Sequence, residues 1–189
     1  MQFRVHQRYI ADIRISIVMT NNVQQNIDQR YGSKLIIAIV AGLVGTVAFN
    51  TVMYIDVATT GIPLDLTRVL GSFVVGQDGP AEAAGNIFHF ANGIALAMFY
   101  IFVFLPISKR VTKRNMWFYG IIYAVMIAVG PIFFGLFPAL GAGIAGVGIS
   151  PLVAPMTIVR HIAFGAVLGI LVSSSLTHIN SRSQIVRLV

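Results

Sequence analysis

Asn86–Leu105 reads NIFHFANGIALAMFYIFVFL and contains no charged residue. As a helix rising about 1.5 Å per residue, it crosses the roughly 30 Å hydrocarbon core of a bilayer. His89 lies near its start, and Gly93 and Ala97 follow at four-residue intervals. That spacing puts an imidazole and two small side chains on one stripe of a helix. The device returns in Ile158–Leu176, where His161, Gly165 and Gly169 repeat it. Aligned on the histidines, HFANGIALA faces HIAFGAVLG. The pattern predicts a duplicated membrane unit.

Composition agrees. Of 189 residues, 57% are hydrophobic and 10% are charged, whereas a soluble domain carries roughly 25% charged residues. The chain has no cysteine, which excludes disulfides and thiolate metal sites. The net charge of +7 is distributed around apolar spans. That is the pattern of topology signals and of contact with anionic lipid headgroups, and it argues against nucleic acid as a partner.

Read in order, residues 1–34 form a basic arm whose apolar positions fit neither a helical nor a strand period. Three readings stay open for it: an interfacial helix, an arm ordered on a partner, or disorder. It has no apolar core and cleavage site of the signal-peptide kind, and Met19 offers an alternative start. The transmembrane domain is expected over residues 35–176, with spans at about 35–54, 83–105, 116–137 and 156–176. The remainder, 177–189, is a cytoplasmic tail. In the first span, Gly42, Gly45 and Ala48 recur at three-residue spacing and invite close helix contact. Gly61-Ile62-Pro63 ends that helix. Leu66, Val69, Leu70, Phe73 and Val74 then mark an amphipathic helix at about Leu64–Val75, too short to span. Gln77-Asp78-Gly79-Pro80 reads as a turn. Pro106 is expected to close the second span, and Pro131 to kink the third or mark its end.

Orientation follows from Lys and Arg near the span ends. The arm, the Ser108–Arg114 loop (SKRVTKR) and the tail hold nearly all of them. Four spans put these segments on one face, so both termini are expected in the cytoplasm, with anionic lipids among the contacts of that face. Asp56, Asp65, Asp78 and Glu82 fall on the opposite, outer face. Each half runs outward, through an outer loop, and back along a His-xxx-Gly-xxx-small helix. The two repeats are therefore parallel. The fold class is an all-α integral membrane bundle of four transmembrane helices, read as two parallel two-helix repeats, with an outer interfacial helix.

His89 and His161 are the first candidate site. With Asn50, Asn92 and Asp56 they offer a mixed nitrogen–oxygen set that could bind copper or haem, or handle protons or a substrate. The plainer reading is that each imidazole hydrogen-bonds a neighbouring helix and pins the bundle. Arg160 is the second candidate. It could pair with Asp56, Asp65 or Glu82 across the outer mouth, or reach the headgroups. Gly165-xxx-Gly169 marks close helix contact. Gly141-Ala142-Gly143-Ile144-Ala145-Gly146 satisfies G-x-G-x-x-G, but no strand precedes it and no acid follows it, so a dinucleotide site is rejected. No serine–histidine–acid or paired-carboxylate arrangement suggests hydrolysis.

AGLVGTVAFNTVMY, GIPLDLTRVLGSFV, IFHFANGIALAMFY and RHIAFGAVLGIL resemble a family of small four-helix integral membrane proteins of unknown function. The resemblance rests on Gly45-Thr46, on Asp65 with Leu70-Gly71-Ser72, on His89 with Gly93, and on His161 with Gly165. It covers about Ala38–Val172 and implies the fold rather than an activity. The basic arm has no counterpart in it.

The resulting expectation is a non-catalytic accessory or structural subunit of a larger complex in the cell membrane, such as an oxidase, monooxygenase or respiratory assembly. Its partners would be other integral membrane subunits and lipids. The alternatives are a small transporter or channel lined by Asn50, His89, Asn92 and His161, and a bis-histidine metal or haem protein. No cofactor is expected, with copper or haem at His89 and His161 as the alternative.

Overall fold

Backbone amides inside a bilayer find no water, so apolar stretches of this length bond internally as helices. The computed structural model describes residues 2–76, 79–111 and 115–185. Among these, all regular structure is helical: α1 (Gln2–Thr60), α2 (Leu66–Val75), α3 (Ala81–Phe99), a π-helical stretch (Tyr100–Phe104), α4 (Leu105–Val111), α5 (Met116–Ile127), a second π-helical stretch (Ala128–Leu136), α6 (Phe137–Ala139), a 3-10 turn (Ile144–Gly146) and α7 (Val153–Ile185). Four segments are long and apolar enough to cross a membrane: Ile27–Thr60, Ala81–Val111, Trp117–Ala139 and Val153–His178. The turn residues Gln77 and Asp78, the basic residues Lys113 and Arg114, and the last four residues lie outside the described set.

The chain divides into two units, Met1–Ile36 and Ile37–Val189. The first is helical from Gln2 onward, where the apolar spacing suggested neither a helix nor a strand.

Within the second unit the four spanning helices close a ring. The first helix meets α3 where a Cβ added to Gly42 would lie 2.6 Å from the Ile94 Cα, and meets α7 where Gly45 faces the Phe164 ring. The Tyr123 hydroxyl of α5 donates to the Leu96 carbonyl of α3 at 2.9 Å. Gly120 of α5 abuts the backbone at Gly165 and Gly169 of α7. Gly42 and Gly45 thus serve two different neighbours. Phe49, Met53, Tyr100, Tyr123, Phe164 and Leu168 fill the ring. A smaller apolar cluster of Leu64, Phe133, Phe137, Ala142 and Val153 closes the end that carries α2.

All six residues of the two predicted stripes are buried: His89, Gly93 and Ala97 in α3, and His161, Gly165 and Gly169 in α7. Gly93 packs against Gly42 and Thr46 of α1, and Gly165 packs against Gly120 and Ala124 of α5. Each half therefore makes the same contact, between a glycine on its second helix and a pair four residues apart on its first.

Three helix ends differ from expectation. The second span does not stop at Pro106 but runs to Val111. Proline lacks an N–H and its ring collides with the carbonyl four residues back. Just before it the helix widens, and the Leu105 N–H bonds the Tyr100 carbonyl. The arrangement recurs before Pro138, where the Phe137 N–H bonds the Ile132 carbonyl. Pro131 lies inside that second wide stretch, so the helix absorbs it with π turns instead of ending there. The fourth apolar span ends at His178, but its helix does not end there: α7 continues to Ile185.

The short helix α2 starts at Leu66 because Asp65 caps it. The Asp65 carboxylate accepts from the backbone N–H of Thr67 (2.9 Å) and Arg68 (3.1 Å), and from the Thr67 hydroxyl (2.6 Å). Gly61, at φ +68°, turns the chain out of α1. The helix lies tightly on α3: a Cβ on Gly71 would strike the Ala81 carbonyl, and one on Gly85 the Thr67 carbonyl. Phe73 and Val74 face outward. Asp65→Ala is expected to weaken α2 by about 1 kcal/mol, the usual worth of a cap. Faster amide exchange in α2 with unchanged exchange in α5 and α7 is the expected readout.

The G-x-G-x-x-G run forms turns rather than a phosphate cradle. Gly146 has φ +78°, and a Cβ there would strike Val153, so its glycine is a packing requirement.

Candidate functional site

Helical spacing brings polar residues from three helices to the half of the bundle nearest α2. The first helix buries Thr46, Phe49, Asn50 and Met53 on one face, at successive offsets of three, one and three. The third helix contributes Asn86 and His89, and α7 contributes Thr157, Arg160 and His161.

Phe49 joins the two histidines. Its ring centroid lies 4.8 Å from that of His89 and 5.1 Å from that of His161, with ring planes at 77° and 85°. Edge-on contact of this kind is favoured by the ring quadrupole. His161 Nδ1 lies 2.8 Å from the Thr157 carbonyl oxygen. A carbonyl only accepts, so Nδ1 carries the proton and donates it. His89 Nδ1 is buried without a protein partner, as is Asn50 Oδ1. Asn50 Nδ2 donates to Asn86 Oδ1 at 3.4 Å, and Asn86 Nδ2 donates to the Glu82 carbonyl at 2.9 Å.

Arg160 is 2% exposed and does not reach outward to headgroups. Its Nε donates to Asp56 Oδ2 at 2.6 Å, its Nη2 to Asp56 Oδ1, and its Nη1 to the Leu64 carbonyl at 3.1 Å. The fork thus ties the end of α1 and the segment before α2 to the first turns of α7. Bidentate pairing satisfies both carboxylate oxygens and makes burial of the charges tolerable.

Three expected members stand elsewhere. Asp65 is engaged as the cap of α2 and does not pair with Arg160. Asn92 is exposed; three residues beyond His89, it falls on the flank of α3 that faces away from the bundle. Glu82 also leaves Arg160 alone and pairs with Arg68 at 3.6 Å on the exposed rim. The mixed set of His89, Asn50, Asn92 and Asp56 is therefore not assembled, because one member faces out and Asp56 is held by Arg160. Among the described residues, no three His, Cys, Asp or Glu side chains gather into a metal-holding group.

Phe49, Asn86 and Thr157 escaped the reading of the sequence. Asn86 precedes His89 by three residues and Thr157 precedes His161 by four, so helical spacing alone could have placed them beside the histidines.

Residues 33–183 match the model of a family of unknown function, DUF6789. No curated protein matches the chain, and neither does any solved structure.

Proposed function

We propose, for a chain that belongs to the family of unknown function DUF6789, a role as a non-catalytic accessory or structural subunit of a larger assembly in the cell membrane. An oxidase, monooxygenase or other respiratory complex is the kind of assembly meant, with both termini of this chain in the cytoplasm. The observation that carries this reading is the closure of the bundle's charged interior on itself. The buried guanidinium commits its donors to Asp56 and the Leu64 carbonyl, so its chemistry is structural. Val40, Leu43, Val44 and Val47 meanwhile form an exposed apolar stripe at helical spacing. Such a stripe suits lipid or the helix of another subunit.

Purification from native membranes in mild detergent, with mass spectrometry of what remains bound, tests the role. Larger membrane subunits in fixed stoichiometry are the expected result, and a lone chain would overturn it. Copper and haem analysis of the same sample tests the alternative in which His89 and His161 are ligands. His89→Ala and His161→Ala are expected to reduce yield of the assembled complex before they affect turnover per complex. Normal assembly with abolished activity would make the histidines functional rather than structural.

A second reading, a small transporter or channel, is favoured by the two buried polar atoms without protein partners, Asn50 Oδ1 and His89 Nδ1. Buried polar atoms in a membrane interior are costly unless bonded.

A further inference from the structure

A cleft of ≈ 940 Å³ opens between α2 and the start of α3, and Asp65, Arg68, Ser72, Pro80, Glu82 and Asn86 line it. Asn86, itself half-buried, also touches the buried cluster, since its Oδ1 accepts from Asn50 Nδ2. One side chain thus stands both in the wall of an open polar cleft and one hydrogen bond from the bundle interior. Behind it are Asn50, 8% exposed, and His89, 7% exposed, each with a buried polar atom that no protein group satisfies. At 3.4 Å the Asn50–Asn86 bond is long, beyond the roughly 2.7–3.2 Å usual for an N–H donor.

We propose that the cleft is the entrance to a buried polar site at Asn50 and His89 that takes small hydrogen-bond-donating guests, water or a primary ammonium, from the α2 side. The Asn50 carbonyl oxygen can only accept, so the guest must donate to it. The imidazole Nδ1 of His89 can likewise accept a hydrogen from a guest when the ring proton resides on Nε2. Thr46 is already committed to the Gly42 carbonyl at 2.8 Å, and His161 Nδ1 to Thr157, so neither competes for the guest. Arg160 holds Asp56 and leaves the site without a free carboxylate, which sets it apart from a divalent-cation site. Asn86 is the gate between cleft and site, and breaking its bond to Asn50 exposes both amides to the guest. The inference deepens the transporter or channel reading by naming its guest and entrance. It is independent of whether the chain works inside a larger assembly.

The chain has no cysteine, so single cysteines can be introduced for labelling without background. Asn86→Cys and Asn50→Cys, in the full chain in sealed vesicles, are treated with 2-aminoethyl methanethiosulfonate and with its anionic sulfonatoethyl counterpart. The Asn86→Cys variant is expected to react with both. The Asn50→Cys variant is expected to react with the ammonium reagent within tenfold of the Asn86→Cys rate, and at least tenfold more slowly with the anion. Ala97→Cys, deep in the ring, is expected to stay unlabelled. An Asn50→Cys rate a hundredfold or more below that of Asn86→Cys would overturn the entrance, and equal reaction of Asn50→Cys with both reagents would overturn the donor class. Water alone as the guest is tested in the unaltered chain by deuterium exchange at the imidazole C2 carbon, read by mass spectrometry. His89 is expected to exchange in the folded protein, and Asn86→Trp to slow this at least tenfold. Complete exchange at the exposed His178 with none at His89 would overturn the site, even if Asn50→Cys fails to fold.

Discussion

Arg160→Ala is expected to be the most damaging single substitution in the chain, costing about 3–5 kcal/mol of stability. The charge it removes is buried and bidentate, and its loss strands Asp56 and the Leu64 carbonyl without a donor. An unpaired carboxylate in a low-dielectric interior is the expensive outcome, more than the missing attraction itself. Asp56→Ala should cost a similar amount by stranding the guanidinium. Joint replacement, Asp56→Leu with Arg160→Met, removes both charges together. It is expected to recover at least half of the loss, since apolar side chains of similar volume carry no desolvation penalty. Arg160→Lys should rescue poorly, because a point charge does not reproduce the fork. Thermal unfolding in one detergent across the four variants measures this. A double variant no better than either single would show that the Arg160–Leu64 tie matters more than the ion pair.

The partial legibility of that site in the sequence has a physical reason. Arg160 and Asp56 stand out because a charge within an apolar span demands a partner, and the two lie at the same depth of a four-span bundle. Asp65 lies at that depth too, yet a residue just before a short amphipathic helix has a nearer use for its carboxylate. Local capping takes precedence over a distant cation, as the three hydrogen bonds into the first turn of α2 demonstrate. His89 and His161 were legible by their identical four-residue spacing to small residues. Their shared partner Phe49 was not, because one aromatic ring in an apolar span carries no mark of its orientation. Asn92 misled for a related reason: a polar residue three positions from a buried histidine lies near the edge of the buried stripe, and slight rotation decides its side. The spans themselves were the clearest feature, since length and hydropathy alone define them. Their ends were less clear at Pro106 and Thr177. At Pro106 a π stretch accommodates the ring, and no residue pattern in YIFVF announces it. At Thr177 a polar sequence continues as helix beyond the apolar core.

Gly165→Ala is expected to be the most informative change outside the ion pair, costing about 1–3 kcal/mol as an overpacked contact. An added Cβ would strike the Gly120 carbonyl and lie 2.7 Å from the Ala124 Cβ. Backbone cannot rotate away as a side chain can, so α5 and α7 must separate. Gly71→Ala should behave alike, because its Cβ would strike the Ala81 carbonyl and lift α2 from α3. Gly45→Ala makes the informative contrast. Its Cβ would lie 2.9 Å from a carbon of the Phe164 ring, which a small ring rotation relieves, so a loss below that of Gly165→Ala is expected. Gly130→Ala meets nothing within 4 Å. In an open helical position alanine is favoured over glycine by about 0.5–1 kcal/mol, so this variant should match or exceed the parent. The series Gly165, Gly71, Gly45 and Gly130, ranked by melting temperature in one detergent, separates close backbone approach from helix propensity, since propensity alone would make every alanine stabilising. Because α7 also carries Arg160 and His161, separating it from α5 at Gly165 leaves the clamp to Asp56 intact while loosening the ring that holds it. The Gly165→Ala and Arg160→Ala losses should therefore combine to less than their sum. Strict additivity would mean that the glycine contact and the ion pair hold the helix independently.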